Sequence, residues 1–461
     1  MEWKDLNALK QAGAPMIDFG DPVRVTDAAA LRERFMEPLV RAAVFGDEPV
    51  RNGARWLLHE LARDLGIGSA SIQDLYLARG RGEVHGFTVP AINIRGLTYD
   101  VARAALRAAA ALRVGPVVFE IARSEIGYTG QRPAEYAAAV TAAAIREGHS
   151  GPIFLQGDHF QVNAAKYAAD PEAEVGAVKD LVREAIQARF LNIDIDTSTL
   201  VDLSHDTLEE QQRVNFERAA ELTAVVREHE PRGVTISVGG EIGEVGKKNS
   251  TVEELEAYME GFLAELGKRG GNLAGPSKIS VQTGTSHGGV PLADGSVAEV
   301  KVDFETLREL SRVARERYGM SGAVQHGAST LPEEAFHHFP EVETAEIHLA
   351  TGFQNLIYDH PEFPEDLRQE VRDHCFRNLA GERKADWTDE QFLYKTRKKA
   401  FGPLKRRMWD LPQSTRDALG HDLEERFAFL FGKLGVEGTV DAVQRHVKKP
   451  VLAAGDRPAG L

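Results

Sequence analysis

The chain has 461 residues, of which 43% are hydrophobic and 27% are charged. These are ordinary values for a globular protein, so they exclude a mainly disordered or fibrous chain, and the length allows about three domains. Acidic side chains outnumber basic ones and give a net charge of −15. Because this charge repels a phosphate backbone, we expect no nucleic-acid partner.

Cysteine usage and the N-terminal residues indicate the compartment. Cys375 is the single cysteine, so the chain can form neither an intrachain disulfide nor a thiolate zinc cluster. The first residues lack the pattern of a signal peptide, and no stretch reaches about 18 uninterrupted apolar residues. We therefore predict a cytoplasmic protein with no membrane partner.

From about residue 86, short β-rich apolar runs alternate with helical patterns, which is typical of βα units around a parallel sheet. This alternation predicts a (β/α)8 TIM barrel, with a doubly wound open sheet as the alternative. Eight runs are predicted as strands: Gly86–Ile94, Pro116–Ile121, Pro152–Gly157, Phe190–Asp196, Val234–Val238, Lys278–Thr283, Gly322–Gln325 and Thr344–Leu349.

The segments outside the barrel pattern are helical in character. We predict a helical N-terminal extension over residues 1–71, a barrel over 72–358 and a helical C-terminal extension over 359–461. The C-terminal extension carries a basic run, Lys395–Arg407. In an acidic chain, such a run is more typical of a solvated or subunit-contacting helix face than of a nucleic-acid site.

Chemistry-bearing side chains collect after the predicted strands. Asp158 and His159 follow the third strand, Glu241 the fifth, His287 the sixth and His326 the seventh. The active site of a (β/α)8 barrel lies at the carboxyl ends of its strands. Imidazoles from separate strands can converge on one divalent ion, and three protein ligands with an open position are usual for catalytic zinc. Asp158 is then placed to move a proton beside the ion.

Six motifs occur in one order along the chain: Val89–Asn93, Gly157–His159, Ile195–Ser198, Glu241–Gly243, Gly284–Gly288 and His326–Ser329. In this order and at this spacing the chain resembles the class II, metal-dependent aldolases of fructose-bisphosphate and tagatose-bisphosphate. The resemblance extends over roughly residues 72–358. It implies a metal-dependent, reversible aldol cleavage of a ketose phosphate through a metal-bound enediolate.

The resemblance also implies roles for individual residues. His159, His287 and His326 would be the metal ligands, with Glu241 as a nearby carboxylate that can bind metal and Asp158 as the acid and base. The substrate and its phosphate would be held by Asn93, Gly288, Gly327, Ser329 and Thr351. The implied cofactor is a divalent ion, most simply Zn²⁺; the implied partners are a sugar phosphate and further copies of the chain in a homodimer or homotetramer.

Several positions depart from the family's pattern. His348 stands where an asparagine is expected, Ala122 where a serine is expected, and the loop after the fifth strand lacks a glutamate. These departures leave two alternatives to the aldolase. One is a metal-dependent sugar-phosphate epimerase or isomerase on the same barrel, and the other is a non-catalytic metal-binding subunit.

Overall fold

Eight parallel strands follow one another in chain order around a barrel, and the eighth pairs with the first through Glu346 opposite Val89. This computed structural model describes residues 3–243, 248–284, 292, 301–448, 452 and 455–461. The closed ring confirms the predicted TIM barrel and excludes the open sheet. The strands are β1 (Val89–Asn93), β2 (Val118–Ala122), β3 (Gly151–Gln161), β4 (Asn192–Asp196), β5 (Ser237–Glu241), β6 (Lys278–Val281), β7 (Ala323–Gln325) and β8 (Glu346–Leu349).

Helices pack around the outside of the barrel, one or two after each strand. Both faces of the sheet are therefore covered, which is why strands such as β1 and β2 are buried along their whole length. The helices are Thr98–Ala111, Arg123–Thr129, Pro133–Arg146, Ala164–Ala169, Pro171–Gln187, Leu208–His229, Val252–Arg269, Phe304–Tyr318, His338–Glu341 and Thr351–Asp359.

The N-terminal residues form helices that pack against the outer helix Pro133–Arg146. A short strand, Ile67–Ser69, then adds in parallel to the beginning of β3. Two further two-residue strands, Ile17–Asp18 and Arg24–Val25, pair antiparallel with each other. The helices here are Leu6–Gly13, a continuous run of Ala28–Ala30, the π-helical Leu31–Phe35 and Met36–Phe45, then Glu48–Asp64 and Gln73–Gly80.

The C-terminal residues are also helical and return to the barrel. Helix Gln413–Lys433 packs against the first barrel helix, Thr98–Ala111. Among the described residues, no helix combines the length and the apolar character needed to cross a membrane. The helices of this part are Glu365–Asn378, Asp389–Thr396, Lys405–Trp409, Gln413–Lys433 and Val440–His446, with 3₁₀ turns at Ala380–Glu382 and Arg397–Ala400.

Candidate active site

A cavity of about 460 Å³ opens at the carboxyl ends of the strands. Most of the predicted site residues that the structure describes line it, namely Asn93, Asp158, His159, His326, Gly327, Ser329 and Thr351. Glu241 contacts this group through His159. The predicted ligand His287 and the predicted phosphate contact Gly288 lie outside the described residues.

Two histidines face each other across the cavity floor. Nε2 of His159 lies 3.0 Å from Nδ1 of His326, and their ring centroids are 4.3 Å apart. The second nitrogen of each ring has its own partner: Nδ1 of His159 lies 2.8 Å from Asp196 and 3.2 Å from Glu241, and Nε2 of His326 lies 3.0 Å from Ser280 Oγ. His159, Glu241 and His326 each offer one ligand atom within 4.8 Å of the others.

Nearby carboxylates set the electrostatics of His159. Burial lowers the pKa of this imidazole, but the negative charges of Asp158 and Glu241 and the hydrogen bond that the ring donates to Asp196 outweigh burial and raise the pKa well above its ordinary value. Burial in turn raises the pKa of Glu241 to about 7, with a further contribution from Asp196. The site is therefore rich in negative charge, and a cation is favoured there.

A bulge in β3 aims His159 at this position. The register of β3 against β4 shifts between Gly157 and Phe160, and His159 has a left-handed φ of 39°. The ring of Phe160 folds back over Gly157 so closely that a Cβ there would lie 2.4 Å from it. A non-glycine residue in this conformation costs about 1 kcal/mol or more, and bulges commonly redirect side chains next to active sites.

Asp158 is buried at the cavity wall and contacts the imidazole of His348, which projects from β8. Nδ1 of His348 lies 3.2 Å from Asp158 Oδ1 and 3.1 Å from Glu120, while Nε2 lies 2.7 Å from Glu346. Burial lowers the pKa of His348, but Glu120 and Asp158 raise it well above its ordinary value. His348 thus links Asp158 to charged groups deeper in the barrel.

Those deeper groups form an ionic cluster around the ammonium of Lys278. Lys278 donates to Gln156 Oε1 at 2.8 Å, to Asp194 Oδ2 at 2.9 Å and to Glu346. Its positive charge holds the pKa of Glu346 well below the ordinary range against the effect of burial. Burial raises the pKa of Asp194 to about 6 and that of Glu120 to about 7. The interior of the barrel is therefore a paired charge cluster directly below Asp158.

The loops after β7 and β8 meet where phosphate binding was predicted. Gly352 N donates to Ser329 Oγ at 3.2 Å, and a Cβ on Gly352 would lie 2.7 Å from the carbonyl oxygen of Ser329, so only glycine permits this approach. Across the cavity, Asn93 donates to Glu125 at 2.6 Å. Arg95 donates to Glu125 at 2.7 Å and to Thr351 Oγ1 at 3.2 Å.

Two groups at the site received no role from the sequence. Asp196, at the end of β4, orients His159 and is itself held by Gln161 and Ser198; its position at a strand end was the available signal. Lys398 lines the cavity from the C-terminal extension. The sequence interpretation of its basic run as a solvated or subunit-contacting face was wrong for this residue, because nothing local to the run indicates that it packs against the barrel.

The sequence matches the model of the fructose-bisphosphate aldolase class-II family over residues 80–409. The chain belongs to this family. No curated protein matches it. Among solved structures, a probable tagatose 6 phosphate kinase from Sinorhizobium meliloti 1021 is 18% identical with a TM-score of 0.53, and the match covers 78% of this chain and 93% of that one. A fructose-bisphosphate aldolase from Campylobacter jejuni is 17% identical with a TM-score of 0.47 and covers 81% and 96%. At these identities the likeness to the Sinorhizobium protein shows the fold alone.

Membership of the class II aldolase family confirms the resemblance on which the sequence interpretation depends. Three of the motifs, Gly157–His159, Glu241–Gly243 and His326–Ser329, lie at strand ends of the same barrel. The roles of individual residues remain predictions.

Proposed function

We propose that this protein catalyses the metal-dependent, reversible aldol cleavage of a ketose phosphate. The observation that carries the proposal is the convergence of His159, His326 and Glu241 beside Asp158, in one cavity of a class II aldolase family member. Neutral imidazoles and carboxylates with this spacing are ligands for a divalent cation, and Zn²⁺ is the simplest candidate.

The residues present fit such an ion. Nε2 of His159 and Nδ1 of His326 point toward each other at 3.0 Å, and the remaining ring nitrogens are held by Asp196 and Ser280. This pattern, in which a carboxylate or hydroxyl orients each ligating ring, is usual around protein metal ions. His287 would complete the set. When bound, the ion would act as a Lewis acid that polarises the substrate carbonyl and stabilises developing negative charge.

Asp158 supplies the proton transfer. In the cleavage direction its carboxylate accepts the proton of the hydroxyl on the carbon beyond the bond being cut. That oxygen becomes the carbonyl oxygen of the released aldehyde, and the electron pair of the broken carbon–carbon bond stays on the donor carbon. This carbon then takes up a proton from solvent, and Asp158 returns its proton to solvent, so the protons balance over the cycle. The contact with His348 at 3.2 Å fixes the orientation of Asp158 toward the cavity.

The loops after β7 and β8 would hold the phosphate of the substrate. Gly327 turns its loop with a left-handed φ of 67°, and Gly327, Ser329 and Thr351 line the cavity. Backbone N–H groups in such turns form anion-binding concavities, and barrels often bind phosphate after their last strands.

The experiment compares His326→Ala with His205→Ala, in which an exposed surface histidine is removed. We expect wild type and His205→Ala to carry about one equivalent of divalent metal by elemental analysis, and to release a triose from a ketose phosphate. His326→Ala and chelated wild type should lose both properties, and Zn²⁺ should restore turnover to the chelated wild type only. Chelator-resistant turnover would refute the proposal. Interconversion of sugars without a triose product would favour the epimerase.

A further inference from the structure

A second cavity, of about 250 Å³, lies at the end of the barrel opposite the active site. It forms where helix Glu48–Asp64 and strand Ile67–Ser69 of the N-terminal extension meet the beginning of β3. Arg189, which precedes β4, and Thr141, on an outer helix of the barrel, also line it. The cavity therefore joins the N-terminal extension to the amino ends of two barrel strands.

Basic side chains dominate the lining of this cavity. His59, Arg63 and Arg189 line it, and none of the described lining residues is a carboxylate. Arg63 pairs with Glu60, three residues earlier on the helix, and the charge of the same carboxylate also acts on Arg189. Two guanidinium groups are thus placed around one carboxylate, in a chain whose net charge is −15.

The electrostatics of these groups favour an anion. Burial, followed by the positive charge of Arg189, lowers the pKa of His59 to about 3, so this imidazole is neutral and offers an N–H donor. Burial also lowers the pKa of Arg189; Glu60 opposes this effect and Arg63 adds to it. The charge of Arg63 thus disfavours the charged form of Arg189, and an anion between the two guanidinium groups would reverse this.

Two buried hydroxyl groups lie at the same cavity. Ser69 is 8% exposed and Thr141 is 4% exposed. Neither hydroxyl makes a hydrogen bond to another residue that the structure describes. Because a buried hydroxyl without a partner costs free energy, an occupant that accepts hydrogen bonds from both would stabilise the cavity.

The donors select the chemical class of that occupant. Guanidinium groups bind phosphate and carboxylate oxygens through paired N–H···O bonds, and hydroxyl and imidazole groups donate further bonds. A tetrahedral phosphate can accept bonds from several directions, which suits donors that come from a helix, a strand and a loop. The volume lies below the roughly 300 Å³ at which pockets for drug-sized molecules begin, so the ligand is small.

We infer that this second cavity binds a phosphate group, either as inorganic phosphate or as the ester of a small metabolite. The inference goes beyond the proposed function and does not depend on it. It assigns a binding role to the N-terminal extension, since His59, Arg63 and Ser69 precede the residues that match the family model.

The test titrates inorganic phosphate into the full chain by calorimetry. We expect Arg63→Gln to bind phosphate at least about tenfold more weakly than wild type, because it removes a charged donor. Thr141→Val keeps the shape of the side chain, removes only the hydroxyl and should also weaken binding by about tenfold. Phosphate in the active site does not respond to either change, so a loss that both variants share locates the ion in the second cavity.

Each variant has a matched control. Arg183 pairs with Asp180 three residues earlier and is 39% exposed, against 41% for Arg63, but it does not line the cavity. Thr223 is buried with an unpartnered hydroxyl on another helix. We expect Arg183→Gln and Thr223→Val to bind phosphate as wild type does.

Three results would overturn the inference: equal phosphate affinity in wild type, Arg63→Gln and Thr141→Val; the same loss in Arg183→Gln; and tighter binding of acetate than of phosphate, which would indicate a carboxylate ligand. Thr141→Val decides alone if Arg63→Gln unfolds below the wild-type temperature, since Glu60 then lacks its partner. Tighter binding of glycerol phosphate than of inorganic phosphate would identify the ligand as an ester, and the reverse would identify the free ion. The measurement needs no turnover, so its result is independent of the proposed function.

Discussion

Replacement of Lys278 by methionine tests whether the charge cluster inside the barrel is balanced as the contacts indicate. Lys278 is 1% exposed and donates to Gln156, Asp194 and Glu346. Methionine fills a similar volume without charge, so the variant leaves Asp194 and Glu346 without the Lys278 ammonium, and Glu346 keeps only its contact with His348. Breaking a buried ion pair by removing one partner costs about 3–5 kcal/mol, and we expect Lys278→Met to lose this much free energy of unfolding.

The assay is urea unfolding followed by circular dichroism. Lys268→Met is the control, since Lys268 pairs with Glu265 on the surface and its side chain is 69% exposed; an exposed pair contributes about 0–1 kcal/mol. A Lys278→Met variant that loses no more stability than Lys268→Met would refute the account of the cluster.

The pH dependence gives a second check on the same pair of variants. In wild type the attraction of Lys278 keeps the pKa of Glu346 depressed, which stabilises the fold at all pH values above the ordinary glutamate range. Without Lys278 the carboxylates of Glu346 and Asp194 take up protons at higher pH, and protonation relieves their repulsion. The stability gap between wild type and Lys278→Met should therefore narrow from about pH 8 to about pH 6. A gap that widens would contradict the assignment.

Three further predictions follow from other parts of the structure. Asp158→Asn should retain bound metal by elemental analysis and lose turnover by roughly a hundredfold or more, the usual size of a general acid–base contribution; unchanged turnover would remove Asp158 from the mechanism. Burial raises the pKa of Asp100 to about 6, so between about pH 4 and pH 6 the native state binds a proton that the unfolded state has lost. The free energy of unfolding of wild type should therefore fall by about 3 kcal/mol as pH rises from about 4 to about 7. Asp100→Asn should lack this loss in urea unfolding, and a parallel loss in both would contradict the shift. Gly96→Ala places a methyl group 2.0 Å from the Phe401 ring. It should lower the free energy of unfolding by about 1–3 kcal/mol and make the C-terminal extension more sensitive to limited proteolysis. Gly176→Ala, on an open helix face, should gain up to about 1 kcal/mol, and equal proteolysis of the two variants would show that the extension does not depend on this contact.

The barrel was predictable because the sequence patterns that indicate its strands and helices are local. Each strand is a short apolar run followed by a helical pattern, and the eight predicted runs all overlap observed strands. The site residues that follow these runs, such as Asp158 and His326, were found because strand ends in a barrel face one cavity. Which side chain at a strand end faces the cavity depends on the register with the neighbouring strand, which local sequence does not determine. The bulge that turns His159 toward His326 was therefore not predictable.

Strand ends were misplaced where polar or glycine residues continue a strand. The third strand was expected to end at Gly157 but extends to Gln161. The fifth was expected at Val234–Val238 but runs over Ser237–Glu241. The glycines in it resemble a loop in the sequence, whereas in the barrel a Cβ on Gly239 would lie 2.3 Å from Asp194. The absence of a side chain there makes room for the ionic cluster.

Contacts between distant parts of the chain account for what the sequence analysis missed. The pairing of Lys278 with Asp194 and Glu346 spans 84 and 68 residues, and each side chain alone is an unexplained charge in an apolar strand. Lys398 reaches the cavity from a tail whose composition is that of an exposed helix. No sequence spacing indicates either contact, because both depend on which strands and helices become neighbours in the fold.

The most direct test of the central claim is deuterium exchange at the carbon of dihydroxyacetone phosphate that would form the new bond, followed by NMR in D₂O with metal-loaded protein. The measurement isolates proton transfer on the donor half of the substrate, so the aldehyde partner need not be known. The account predicts exchange that a chelator abolishes and that Asp196→Asn slows, because Asp196 orients His159. No exchange from protein shown to hold its metal would contradict the proposal that this cavity is an aldolase site.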